Sequence, residues 1–282
     1  MTVKIVTDSS VDLPAQLVEE LGITVVPLYV RFGNEVYRDQ IDISADEFYQ
    51  RLQHDPVHPS TTQPTPQDFA NAYEKVAPKA DGIVSVHISA KLSGTCNSAL
   101  QGKKMREEVG PICPIEVIDS QTLTMGLGII CIAAAKAANA GGSVEEVVDE
   151  VKKMIPRVHL LFTLDTLKYL ALGGRIGKAK ALLGSVLNVK PILAIKDGEV
   201  VPAGQVRSRS KGIDRLVDFV QSAASIQDLA IIYNTTPDEA QTLAERVAPI
   251  FAKEKITIAR LGPLLGVHAG PGALAIAFAE KG

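Results

Sequence analysis

An excess of basic charge is missing from this sequence. Lys and Arg number 29 against 32 Asp and Glu, a net charge of -3, so it lacks the electrostatic footprint of a protein that tracks phosphate backbones. Nucleic acid is therefore not an expected partner. Cysteine is scarce: Cys96, Cys113 and Cys131 are odd in number, widely spaced and without a CxxC pair, which disfavours a disulfide framework and a zinc site. Reduced, partly buried thiols are expected. Long apolar runs are lacking too. The most apolar segment, MGLGIICIAAAKAANAGG, is broken by Lys136 before it reaches the ~18–20 residues that cross a bilayer, and reads as a buried helix. No stable membrane insertion is expected. The N-terminal MTVKIVTDSS has no apolar h-region and no small-residue cleavage site, so it reads as a first strand and the chain is expected in the cytoplasm.

Several catalytic signatures are incomplete. Ser93, Asp119 and His268 could supply a hydrolase trio, but a nucleophile elbow needs Gly two residues before and after the serine, where this chain has Lys91 and Thr95. The stretch GGRIGKA has the wrong glycine spacing for a phosphate loop, and Ala179 stands where a magnesium-binding hydroxyl belongs. GLGIIC imitates a dinucleotide fingerprint, yet Cys131 replaces its third small residue and no acid ends a strand about 20 residues later. His54 and His58 are separated by Pro56, which prevents the helix that would align their rings on a metal. Both read as loop residues. No cofactor or metal is expected.

What is present is a soluble α/β pattern. Hydrophobic residues make up 46% and charged ones 22%, and a chain of 282 residues can bury about three quarters of its unfolded surface in one or two domains. VKIVTDSS runs into LPAQLVEELG, with Leu13, Leu17 and Leu21 at helical spacing, Asp12 as the expected N-cap and Gly22 as the stop. GIVSVHIS before CNSALQGKKMREEVG, and IEVIDS before the apolar helix, repeat that unit and predict a parallel sheet covered by helices. After about Leu160 the texture changes to a Leu-rich helical stretch with GGRIGKAKALLG, followed by KPILAIKDGEVVPAG, where Asp197-Gly198 is a two-residue hairpin signal. DLAIIYN, KITIARLG and GALAIAFAEKG read as further strands around a helix from about Pro237 to Lys253. The expected architecture is an N-terminal parallel-sheet α/β domain, 1–160, and a C-terminal mixed or antiparallel α/β domain, 161–282.

Ligands of parallel sheets sit beyond the carboxyl ends of the strands. The loops there carry Asp8-Ser9-Ser10, Ser93-Gly94-Thr95 and Asp119-Ser120, and the Pro-rich segment HDPVHPSTTQPTPQDF can bring Thr61 and Thr62 to the same edge. Ser93 and Thr95 at a helix N-terminus suit a small anion such as a carboxylate or phosphate; equally, they suit a plain helix cap. His268 stands alone as a polar ring in the glycine-rich GPLLGVHAGPGA, either facing a ligand group or satisfied structurally. Arg207 and Arg209 of VRSRSK share a face if the segment is a strand.

The motifs VKIVTDSSVDLP, STTQPTPQDF, ISAKLSGTCNSA, VIDSQTLTMGLG, LKYLALGGRIGKAKALLGSVLNVKPIL and VHAGPGALAIAF occur in this order over nearly the whole chain. Together they resemble the DegV family of bacterial fatty-acid-binding proteins. The resemblance implies two α/β domains with a lipid tunnel between them and no covalent chemistry by the protein itself. It implies a carrier that presents the carboxylate of a long-chain fatty acid to a separate ATP-dependent fatty acid kinase, which makes acyl phosphate for phospholipid synthesis. Residue by residue, it places Thr61 and Ser93 on the carboxylate with His268 in the same network and Thr62 beside them. Arg175 and, more weakly, Arg207 are placed on the kinase-facing surface. Two departures bear on the head group: Thr62 stands where the family often has Ser, and Ala269 where Thr is common. A small acyl hydrolase or transferase using Ser93 and His268, and a binding module for another small anion, are the competing readings.

Overall fold

The computed structural model describes residues 1–110, 113–182 and 189–282. Leu183 and Gly184 of the GGRIGKAKALLG stretch, and the residues after them to Asn188, lie outside the described residues. In chain order the first half holds β1 (Val3–Asp8), α1 (Ala15–Leu21), β2 (Thr24–Val26), β3 (Tyr29–Phe32), β4 (Glu35–Arg38), α2 (Ala45–His54), β5 (Ser60–Thr62), α3 (Pro66–Val76), β6 (Gly82–His87), α4 (Thr95–Val109), β7 (Ile115–Asp119), α5 (Thr124–Asn139) and α6 (Val144–Met154). The second half continues with β8 (Val158–Thr163), α7 (Lys168–Leu172), β9 (Lys190–Lys196), β10 (Glu199–Val206), α8 (Arg209–Gln221), β11 (Ile226–Tyr233), α9 (Pro237–Val247), β12 (Thr257–Arg260), α10 (Pro263–Ala269) and β13 (Leu274–Glu280).

The expected β-α repeat forms a parallel sheet in the order β2-β1-β6-β7. Every residue of β6 is buried: Ile83, Val84 and Val86 pack as apolar side chains, while Ser85 and His87 hydrogen-bond to each other, to Tyr73 and to Asp8, as buried polar groups must. The second sheet has the order β10-β9-β8-β13-β11-β12 and is antiparallel except for the β11–β12 pair. Helix α5 carries the apolar segment, is largely buried, and packs against β1 of the first sheet and against β8, β11 and β13 of the second. One helix thus serves both sheets. No described helix is long and apolar enough to cross a membrane.

Local chemistry explains the boundaries. Thr65 and Asp68 close a reciprocal capping box with Pro66 in the first turn of α3, and Ser143 with Glu146 does the same for α6. The β9–β10 hairpin turns at Asp197 (φ 52°) and Gly198 (φ 78°), the pair of left-handed residues that a two-residue turn between twisted strands requires.

Some expectations fail locally. A third, antiparallel sheet in the order β4-β3-β5 was not foreseen, nor was α2, whose Ser44 hydroxyl accepts the backbone N–H of Glu47. His54 is the last residue of that helix and not a loop residue, because Pro56 acts only beyond it. Asp12 does not cap α1. It is buried with φ 49°, and its Oδ1 accepts the backbone N–H of Gly262, 2.8 Å away. Helix α9 ends at Val247 and not near Lys253; Pro249 supplies no N–H and disfavours helical geometry before it. Arg207 and Arg209 do not share a strand face: β10 stops at Val206 and Arg209 opens α8, capped by the Ser208 hydroxyl.

Candidate functional site

Between the parallel sheet, the three-stranded sheet and the six-stranded sheet lies a cavity of about 470 Å³, within the ~300–1,000 Å³ range of small-molecule sites. Its wall is mostly aliphatic and comes from distant segments: Leu28, Ile88 and Leu123 from the N-terminal half, and Leu160, Phe162, Val200, Ile232 and Leu264 from the C-terminal half. Thr61, Thr62, Ser93 and His268 all line this one cavity.

A continuous set of contacts gathers the polar groups. Thr61 Oγ1 lies 3.0 Å from His268 Nε2, because β5 pairs with β3 and α10 packs against both strands. The ring of His268 rests on Gly173, where an added Cβ would sit 2.1 Å from Nδ1; the first glycine of GGR is there for this close approach. The carbonyl of Gly173 accepts from Arg175 Nη1 at 2.8 Å. Arg175 Nε in turn donates to the carbonyl of Leu92 at 3.3 Å, the residue before Ser93. Hydroxyls, an imidazole and a guanidinium therefore meet at one mouth of a mainly apolar space.

His268 is neutral at physiological pH. Burial, with the positive charges of Arg175 and His58, pushes its pKa down to about 4. Its Nδ1 is buried and has no hydrogen-bond partner among the described residues. Helix α10 is held from below by two buried carboxylates: Asp12 on the Gly262 N–H and Asp39 Oδ1 on the Leu264 N–H at 3.0 Å. Burial raises both acids, Asp39 to about 6 and Asp12 well above the usual carboxylate range.

The other loop residues of the sheet edge are used internally. Asp8 accepts from His87 Nδ1 at 3.0 Å and from the Ile88 N–H, and Asp119 Oδ1 accepts from the N–H groups of Ala90 and Gln121. Ser93 Oγ lies 2.7 Å from Thr95 Oγ1 and accepts the Thr95 N–H, so this hydroxyl closes a local turn just before the N-cap Gly94 of α4 while also lining the cavity. Thr95 is fully buried and is not part of the wall. Ser93, His268 and Asp119 form no relay among the described residues: the imidazole reaches Thr61, and the carboxylate reaches backbone. Nor do the described residues hold a cluster of metal-ligating side chains.

Arg175 is exposed yet also lines the cavity, whereas exposed Arg207 does not reach it. Gln63, which donates to Ser98 Oγ at 3.2 Å, and Phe162 line the cavity as well and were not singled out from the sequence. Gln63 sits inside the TTQP motif, and Phe162 stands in the apolar run Leu160-Leu161-Phe162 of β8; those were the available signals. The three cysteines are free, with Cys96 and Cys131 buried, and burial raises the Cys131 thiol to about 12.

The family model whose description reads "Uncharacterised protein, DegV family" matches residues 2–281. A DegV domain-containing protein of Streptomyces coelicolor is 39% identical over 284 residues, with 99% of each chain covered. Among solved structures, a DegV family protein from Thermus thermophilus, known for fatty acid binding, is 33% identical with a TM-score of 0.91 over 100% of both chains. A stearic-acid-binding protein from Eubacterium ventriosum is 28% identical with a TM-score of 0.90, over 99% of this chain and 98% of that one.

Proposed function

The chain belongs to the DegV family, and from that premise we propose that it is a carrier of one long-chain fatty acid. The carboxylate is held by Thr61, Thr62, Ser93 and His268, and the tail fills the aliphatic cavity. The observation that carries this reading is the gathering of Thr61, Ser93, His268 and Arg175 at one part of a cavity whose remaining wall is mainly apolar, the pattern of a molecule with one charged end. A tail of about 15 methylenes, at roughly 0.8 kcal/mol for each one buried, outweighs the head-group contacts before the costs of association are subtracted.

The carrier presents the carboxylate to a separate fatty acid kinase in the cytoplasm. A carboxylate oxygen attacks the γ-phosphorus of ATP on the kinase, ADP leaves, and the acyl phosphate enters phospholipid synthesis. Arg175 and Arg207, both exposed, face that partner, and Arg175 also borders the carboxylate. An acyl hydrolase built on Ser93 and His268 is disfavoured by the imidazole's bond to Thr61.

Paired measurements on Ser93→Ala and Thr61→Val test the head-group assignment. A hydrogen bond to a charged group contributes about 1.5–3 kcal/mol, so each variant should bind palmitate about one to two decades more weakly yet remain loaded. Acyl-phosphate formation with kinase and ATP should fall further, since a small misplacement of reacting atoms costs about a hundredfold. Full phosphorylation by both variants would move the carboxylate site elsewhere. Release of product from a chromogenic acyl ester, lost in Ser93→Ala, would instead establish the hydrolase.

A further inference from the structure

Strand β13 is divided by face. Leu274, Ile276 and Phe278 pack into the core beneath α8 and α9, while Ala273, Ala275, Ala277 and Ala279 all point to the opposite core. A central strand with large residues on one face and only alanine on the other leaves a trench along its length. The register fixes the walls. Ala275 lies opposite Phe162 of β8 and Ile232 of β11, and Ala277 lies opposite Leu160 and Ala230.

Helix α5 fills only part of the trench. Ala277 and Ala279 are 0% exposed, whereas Ala273 and Ala275 keep 7% and 8% and line the cavity. Room for the helix explains the far pair of alanines. It does not explain the near pair, which faces open space beyond the start of α5, where Leu123 and Thr124 also line the cavity. Phe162 and Ile232 line it from the two sides of Ala275.

Resting on the carrier reading above, we propose that Ala275 sets the acyl chain length this protein accepts. A chain entering from the His268 mouth runs along the trench over Ala273 and Ala275 and ends where α5 covers Ala277. A larger side chain at 275 fills the trench between Phe162 and Ile232 and shortens the usable channel, while loss of volume at Phe162 extends it. Overpacking a filled core usually costs stability, but here the added atoms occupy space that the ligand otherwise fills.

The test offers delipidated protein an equimolar mixture of straight-chain saturated fatty acids from dodecanoic to eicosanoic acid and reads the bound species by mass spectrometry. Ala275→Leu is expected to shift the bound distribution about two to three carbons shorter, matching the three carbons it adds, and Ala275→Val less. Phe162→Leu should shift the distribution longer. Thermal melts identify folded variants; if Ala275→Leu does not fold, Ala275→Val and Phe162→Leu carry the test. Unchanged distributions in folded variants, with wild type loaded, overturn the role of Ala275 and leave the carrier reading standing. Wild type that takes up no fatty acid from the mixture overturns both.

Discussion

His268 and Asp39 respond to acid in opposite directions, since burial depresses the first to about 4 and raises the second to about 6. Between pH 6.5 and about 4 an unfolded chain carries a proton on the histidine that the folded protein does not, so His268 removes stability as the pH falls. Between about pH 6 and 3.8 the folded protein holds a proton on Asp39 that the unfolded chain lacks, so Asp39 adds stability as the pH falls. The two offset each other over nearly the same range. His268→Gln, whose amide can donate to or accept from Thr61, removes the first contribution alone. Urea denaturation of delipidated protein should show the variant gaining stability relative to wild type as pH is lowered from 7 to 4; parallel curves would place the imidazole in contact with solvent or a carboxylate. Neither residue's role was legible from spacing. Thr61 and His268 are 207 positions apart, so only the family resemblance could bring them together, and Asp12 read as a helix cap because its tertiary partner, Gly262, is equally remote.

The β-α units were legible as elements because each sets a strand-like stretch shortly before a proline-free segment long enough for a helix, as at GIVSVH before α4. The three-stranded sheet was not: β3, β4 and β5 have only three or four residues each, too few to display a period. That sheet nonetheless positions Thr61. The β9–β10 hairpin was legible from two residues, and its tip reaches across the molecule, where the Gly198 carbonyl accepts from Ser89 Oγ at 2.8 Å. A Cβ at Gly198 would meet Ser89 Oγ at 2.5 Å while φ is 78°. Gly198→Ala should therefore cost about 1–3 kcal/mol of stability and, because Val200 two residues on lines the cavity, weaken palmitate binding too. Chemical denaturation indistinguishable from wild type would show that the tip yields without consequence.

The cavity lies where all three sheets meet, so a molecule inside it joins elements that otherwise touch mainly through α5, α10 and the hairpin tip. A ligand bound only by the folded state adds about 2.7 kcal/mol at a hundred times its dissociation constant. At roughly 2–4 °C per kcal/mol for a chain of 150–250 residues, and less for this longer one, delipidated protein should melt several degrees lower than loaded protein and recover with palmitate. The fold class was legible at this scale from the change in texture after Leu160, from β-α alternation to a Leu-rich stretch followed by a hairpin and further strands around helices. The cavity was legible only through the family resemblance, because its wall is ordinary core sequence until Phe162, Ala273 and Ala275 are seen to face open space.

The most direct measurement is native mass spectrometry of the protein as purified from bacterial cells, followed by organic extraction and identification of whatever is released. The account predicts one adduct per chain with the mass of a long-chain fatty acid, released as the free acid. A bare chain after growth with ample fatty acid, or an adduct that resolves into a short polar metabolite, would contradict it.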